Sequence, residues 1–376
     1  MTWRSDHSFT DRLLHRLAFA SWPIQAALAD VEEIAFKARL AQVRCERPVF
    51  VAGLPRAGTT LILQLIEAAG GFASYRYRDM PFLLAPMLWA ELTRGAARAG
   101  GARERAHGDG VTIDVDSPEA FEEVVWRTFH PERYRAAAIG PWPAAVDREF
   151  DRFFRLQMRK IIALRGDGRP LRYLSKNNGN IARLTAIARM FPDAVILVPY
   201  RDPLGQARSL LRQHLNFLAL HAADPFTSRY MEAIGHYDFG LNLKPIVFSK
   251  GAEQPAEADF TTLDGWLGYW CSAYGHLAGQ TDVPLHFVSY DRLGGGGEGE
   301  LEALERAVGV ECSGSLTRQA PLIRPAPPRP PAAETADPQL LRRARHILGR
   351  IEVRTAGRSA SSRPEAPAER LRSPVS

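Results

Sequence analysis

The chain has 376 residues, 45% of them hydrophobic and 24% charged, with a formal net charge of +6. That composition excludes collagen-like, low-complexity and disulfide-framework proteins and suits one large α/β core or two modest ones. The positive balance favours an anionic ligand or surface, but the arginines are scattered rather than clustered with aromatics, which argues against nucleic acid as a partner.

Residues 1–45 are expected to form an N-terminal helical segment. Leu13, Leu14, Leu17 and Ile24 follow a helical repeat, with Pro23 set to kink or restart it. Both faces mix acid and base, which suits packing on a core better than lying on a membrane; peripheral membrane contact stays open. Charges at Arg4, Asp6, Asp11 and Arg12 precede any apolar run, so no signal peptide is expected. No stretch reaches the roughly 18 consecutive apolar residues of a transmembrane helix. Cys45, Cys271 and Cys312 lie far apart without metal-ligand spacing, so no metal site and a reduced, cytoplasmic compartment are expected.

The main domain is expected over 46–320. Pro48-Val-Phe-Val-Ala52 reads as a strand, Gly53-Leu-Pro-Arg-Ala-Gly-Thr-Thr60 as a glycine turn, and Leu61, Ile62, Leu65 and Ile66 as a helix ending at Gly70-Gly71. Helical patterns follow at 81–93, 118–129 and 147–165, with an exposed loop at 95–110. A second strand–loop–helix unit runs through Arg172-Tyr-Leu-Ser175, Lys176-Asn-Asn-Gly179 and 180–190. A third has the apolar run Ala194–Val198, then Tyr200-Arg-Asp-Pro203 and a helix to about 214. The segment 224–280 reads as mostly helical with an extended stretch near 242–250. A strand from Leu285 to Tyr290 and a helix near 299–308 complete the domain. Alternating strands and helices predict an α/β fold: a P-loop NTPase-like parallel β-sheet flanked by helices, with helical insertions forming the acceptor side. Residues 321–376, with five prolines in 325–331, read as a Pro-rich linker, a short helix near 337–352 and a disordered tail.

The chemistry concentrates at strand ends, where such sheets bind ligands. In the first loop, Gly53-x4-Gly58 has the spacing of a phosphate-binding P-loop, but Thr59 stands where a nucleoside-triphosphatase carries lysine. The backbone amides of Arg56, Ala57 and Gly58, the hydroxyls of Thr59 and Thr60, and the Arg56 guanidinium would cradle an oxyanion. A glycine turn without a ligand is the plain alternative. The missing lysine disfavours kinase and NTPase chemistry.

Pro55-Arg-Ala-Gly-Thr-Thr60 resembles the 5′-phosphosulfate loop of the sulfotransferase superfamily, which uses 3′-phosphoadenosine 5′-phosphosulfate (PAPS). Its arginine is similar to that of tyrosylprotein and bacterial members. Arg201-Asp-Pro203, with Ser209 eight residues after the arginine, resembles the family's 3′-phosphate motif. Two separated anion sites suit a nucleotide phosphorylated at both ends. Read without that pairing, Asp202-Pro203 simply caps a helix. Ser289-Tyr-Asp-Arg-Leu293 is similar to the family's Y-[ED]-x-L, which implies that Tyr290 lies near the adenine, unless it is a core residue. The R-K-G-x-x-G motif of the cytosolic enzymes is absent, and the glycines at 294–297 do not replace it.

The resemblance implies an acceptor base some twenty residues beyond the loop. Asp79, 21 residues after Gly58, is the nearest acid there; before Pro81 it also reads as a helix cap. Lys176 is implied to contact the transferring group, against a solvated loop lysine. Asn177 and Asn178 bind acceptor hydroxyls or form the turn. His214 is a second base candidate or a structural histidine, and His236 has a place in the acceptor pocket that nothing in the sequence fixes. The expected activity is sulfuryl transfer from PAPS to a hydroxyl of a carbohydrate, lipid-linked glycan or small alcohol, without a metal. A P-loop kinase or a catalytically inactive sulfotransferase-like binding protein are the alternatives.

Overall fold

Short runs of β-branched and apolar residues, buried on both faces, supply the strands of the central sheet, as a parallel sheet covered by helices requires. A computed structural model describes residues 22–94, 112–248, 258–296, 298–310, 314–323 and 335–361, together with 15, 18–19 and 103–104. Its strands are β1 (Val49–Val51), β2 (Phe72–Ala73), β3 (Arg103–Glu104), β4 (Thr112–Ile113), β5 (Arg172–Lys176), β6 (Val195–Tyr200) and β7 (Leu285–Ser289). β3 and β4 pair as a separate antiparallel ribbon. The other five form one parallel sheet in the order β2-β5-β1-β6-β7. The fold is α/β, with helices on both faces.

Side-chain alternation along β1 divides the core into two layers. Val49 and Val51 join Ile62, Leu65 and Ile66 of the helix Thr59–Ala69, with Leu301, Leu304 and Val308 of the helix Glu298–Val308. Phe50 points the other way, with its ring centroid 5.6 Å from that of Phe191 and 6.5 Å from that of Phe154. Register then fixes the site. Val51 lies opposite both Lys176 and Leu197, so the loop after β1, the end of β5 and the end of β6 reach the same edge.

Boundaries differ from the sequence expectation at several points. The third helix runs Pro203–Ala223, well past 214. The run after Gly70-Gly71 is strand β2, only two residues long and legible mainly through its pairing with β5. The expected extended stretch near 242–250 contributes an isolated bridge between Ile139 and Ile246. Most of the expected loop 95–110, the prolines of 325–331, Cys312 and the tail beyond 361 lie outside the described residues.

The short C-terminal helix is in fact the 24-residue helix Pro338–Ser361. It is no appendage: Ala344, Ile347 and Ile351 are buried in the core, and Arg354 donates to the carbonyl of Ala278 at 3.0 Å, near the end of the helix Leu263–Gly279. Its helical apolar repeat demands a partner surface, which explains the docking. At the other end, the helix Trp22–Ala35 takes Pro23 into its first turn and is anchored by a fully buried ion pair. Lys160 Nζ lies 3.4 Å from Glu32 Oε1 and donates to the carbonyls of Ala29 and Leu84 at 3.0 Å each. Among the described residues no helix is long and apolar enough to cross a membrane.

Candidate active site

The loop after β1 is shaped by two left-handed residues. Arg56 has φ +67° and Gly58 φ +91°, a region that glycine enters freely and other residues enter with strain. Gly58 opens the helix Thr59–Ala69, where it offers no side chain to cap the first amides. A Cβ on Gly58 would come within 2.4 Å of Tyr290 Cδ2, so the tyrosine ring closes over the loop and leaves room for hydrogen alone. Ala57 is buried at the turn. Gln206 supports the loop from behind: fully buried, it donates from Nε2 to the carbonyl of Pro55 at 3.0 Å and accepts from Trp270 Nε1 at 3.0 Å.

In the Arg201-Asp-Pro203 segment the two residues before the proline point to different tasks. Asp202 caps the helix Pro203–Ala223, accepting from the Gly205 amide at 2.7 Å. Arg201 turns inward. Its Nη1 lies 3.4 Å from the Arg56 carbonyl oxygen and its guanidinium 5.1 Å from the Tyr290 ring centre. Its Nε is buried with no hydrogen-bond partner among the described residues. Two turns along the helix, buried Ser209 accepts from Arg56 Nε at 3.1 Å. Motifs 153 residues apart thus meet directly, and Arg56, Gly58, Arg201, Ser209 and Tyr290 form one cluster.

Lys176, at the end of β5, is only 8% exposed and faces a cavity of about 290 Å³ beyond the loop. Arg56, Thr59 and Thr60 share that wall. The far wall includes Phe121, Phe226, Tyr230, Met231, Phe239 and Trp266. Between them stand His236 and Asp238, and Asn178 Nδ2 donates to Asp238 Oδ2 at 2.7 Å, tying the β5 loop to this turn. Asn177 serves the turn itself: its Oδ1 accepts from the Gly179 amide at 2.9 Å, and its Nδ2 donates to Glu123 at 2.6 Å. Glu123 pairs with buried Arg183, which lies 4.3 Å over the Trp126 ring. His236 stacks on Phe217 at 5.3 Å. Burial lowers its pKa; the Asp238 carboxylate opposes the shift and the Lys176 charge adds to it. A lowered pKa leaves the imidazole neutral at pH 7, as a proton acceptor must be.

Two expected base candidates sit elsewhere. Asp79 ends the 3₁₀ turn Tyr77–Asp79 and is 2% exposed. Arg165 Nη2 bonds to both of its carboxylate oxygens, to Oδ1 at 2.6 Å, and Oδ2 accepts from the Arg76 amide at 2.8 Å. It does not line the cavity. These contacts fit the capping reading better than the base reading, because an arginine 86 residues away occupies the carboxylate. His214 lies mid-helix rather than at a helix end, and its buried Nδ1 accepts from the Gly240 amide at 3.1 Å. It packs edge-on against Trp266 at 5.6 Å and is not on the cavity wall. Gln206 was legible in principle, four residues after the Asp202 cap and thus near it on the helix. Nothing in the spacing around His236 announces its position.

Among the described residues no group of three or more His, Cys, Asp or Glu side chains is placed to hold a metal ion. A parallel sheet with a P-loop-type turn at the carboxyl ends of its strands defines the class of protein. The profile of the sulfotransferase family matches residues 48–241, more than half of the sequence, beginning at β1 and taking in the loop, Lys176, Arg201, Ser209 and His236. The chain belongs to the sulfotransferase family. Among solved structures, the sulfotransferase STF1 from Mycobacterium tuberculosis H37Rv is similar at 16% identity, covering 83% of this chain and 79% of that one, with a TM-score of 0.44. The sulfotransferase STF9 from Mycobacterium avium is similar at 17% identity, covering 56% of this chain and 62% of that one, with a TM-score of 0.32. No curated protein matches the sequence significantly.

Proposed function

We propose that the protein transfers a sulfuryl group from PAPS to the hydroxyl of an acceptor with an apolar body. The observation that supports the donor reading is the 3.1 Å contact between Arg56 and Ser209, which brings the two motifs read as anion sites together. The residues present fit a doubly phosphorylated nucleotide. Arg201 keeps a buried Nε with no hydrogen-bond partner among the described residues beside the loop, and Gly58 lets the Tyr290 ring close against that loop. When bound, PAPS supplies a sulfuryl group whose S–O bond to the 5′-phosphate breaks as a new one forms to the acceptor oxygen.

The chain's own residues have separate tasks in this reading. The loop amides with Thr59 and Thr60 hold the 5′ side, while Arg201 and Ser209 hold the 3′-phosphate and Tyr290 packs by the base. Arg56 and Lys176 offset negative charge at the transferring and leaving oxygens. His236 accepts the acceptor proton, since it is neutral and stands on the cavity wall with Lys176. The aromatic and apolar side chains of the far wall favour a phenol or apolar alcohol as the acceptor.

The test combines thermal melts with 3′,5′-diphosphoadenosine and radiolabelled PAPS assays on acceptor pools sorted by polarity. Stabilisation by the nucleotide, about 10²-fold loss of kcat/KM in Arg56→Ala, and transfer to apolar hydroxyls are expected. His236→Gln should lower kcat by about 10²-fold or more and abolish the acidic limb of the pH–rate profile. Magnesium-dependent ATP turnover without nucleotide stabilisation would sink the proposal.

A further inference from the structure

A second groove, of about 740 Å³, lies at the opposite end of the sheet, where the strands begin. Arg172 starts β5 and Lys176 ends it, so about 13 Å of strand separates the two sites. Arg39, Arg44, Arg47, Arg169 and Arg172 converge on this groove, and Glu46 is its one acidic lining residue among those described.

The charge is only partly offset inside the protein: Glu46 lies 3.6 Å from Arg44, and the Asp193 carboxylate acts on Arg172 less strongly than burial and Arg47 do. Arg172 donates from Nε to the Arg47 carbonyl at 2.8 Å and from Nη1 to that of Val308 at 2.7 Å. Its Nη2 is buried with no partner among the described residues. Burial, reinforced by the neighbouring Arg47 charge and opposed by the smaller effect of the Asp193 carboxylate, pushes its pKa down to about 10, so it stays cationic at neutral pH. Asp193 accepts from the Arg47 amide, Glu46 lies exposed 3.6 Å from Arg44, and both Glu305 oxygens accept the amides of Gly314 and Leu316. Among the described residues no carboxylate forms an ion pair with Arg39, Arg47, Arg169 or Arg172. Ser315, 3% exposed on the same groove wall, has an Oγ without a hydrogen-bond partner.

Buried cationic and hydroxyl groups without partners are costly unless an anion meets them. Guanidinium forks suit tetrahedral oxyanions, and two adjacent ones call for more than a single negative charge. We propose that this groove binds a phosphate-bearing small molecule, with Arg172, Arg47 and Ser315 around the phosphate and Arg39 and Arg169 at its rim. Apolar Val43, Ile162 and Leu171 on the groove wall leave space for the organic part of a phosphate ester. Arg172 Nη2 and Ser315 Oγ are recessed, which suits a free ligand and not a flat bilayer surface.

The test is independent of the donor reading. In the Arg56→Ala/Arg201→Ala double variant, which silences the donor site, pyrophosphate is titrated by calorimetry and in thermal melts at constant ionic strength. Saturable one-to-one binding and a rise in melting temperature beyond that given by sodium chloride are expected. Adding Ser315→Ala and Arg169→Gln should weaken binding at least about tenfold, and Arg172→Gln should weaken it further. Should the Arg172 variant fail to fold, the Ser315/Arg169 pair decides. Absent saturation, equal binding in the groove variants, or equal stabilisation by chloride overturns the proposal. So does binding to phosphatidylglycerol vesicles with no response to pyrophosphate. Sulfuryl transfer by the wild-type protein is a separate outcome, so the two readings fail separately.

Discussion

The donor loop and the acceptor cavity share a wall at Arg56, Thr59 and Thr60, yet they are built by different physics. The loop is eight consecutive residues whose shape follows from local backbone geometry: two positive φ angles, then a helix. The cavity's other walls come from segments as distant as Phe121 and Trp266, held by packing and by half-buried contacts such as Asn178 to Asp238. A locally determined element should fail sharply at single positions. A wall assembled from many segments should lose affinity by degrees.

The largest expected effect tests the first half of that contrast. Gly58→Ala adds a Cβ at φ +91° directly against Tyr290. Steady-state assays should show kcat/KM falling about 10³-fold, roughly 4 kcal/mol, with loss of stabilisation by 3′,5′-diphosphoadenosine. An alanine variant with near-normal activity would remove the claim that local geometry governs the loop.

Asp79→Asn is next. It leaves buried Arg165 without its anion, so urea denaturation should show a loss of about 3 kcal/mol, while kcat of the folded enzyme stays within about threefold. The opposite result, full stability with lost turnover, would return Asp79 to the role of base.

Acid should weaken the acceptor side by a smaller amount. His221 is buried beside His236 and His214, and burial followed by those two neighbours pushes its pKa down to about 4 from 6.5. Its Nδ1 accepts from the Leu241 amide at 3.2 Å, which requires that nitrogen to be unprotonated. The unfolded chain binds the proton more tightly, so this stabilisation is complete above pH 6.5 and is lost as pH falls through about 4. Denaturation at pH 7 and pH 5 should differ by about 2 kcal/mol from this group, and His221→Leu should flatten the difference.

The smallest effect concerns the assembled wall. Phe226→Ala removes one of several apolar contacts, so the KM for an apolar acceptor should rise about tenfold with kcat nearly unchanged. A collapse of kcat instead would mean that the cavity is as locally determined as the loop.

The same division explains what could be read from the residues. Arg201, Ser209 and the loop were legible because a strand end and a helical offset fix where side chains point over a few residues. The choice between the two readings of Asp79 was not legible, because counting from Gly58 says nothing about Arg165, 86 residues away, which takes its carboxylate. His214 suggested a helix end, but the helix continues to Ala223 and buries it. His236 carries no periodic signal; only the packing of Phe217 and the turn to Asp238 bring it to the cavity. The helix Pro338–Ser361 had its apolar repeat in plain view, but the surface that receives it is made by residues 263–279.

By itself the sequence determined the parallel α/β architecture, the phosphate-type loop and the family, because strand hydrophobicity, glycine dihedrals and helix offsets are short-range properties. Tertiary structure alone decided which titratable groups face the cavity, which are held in buried ion pairs, and that arginines from 39 to 172 meet at the far end of the sheet. Those outcomes depend on side chains many tens of residues apart sharing a low-dielectric space, where one pairing excludes another.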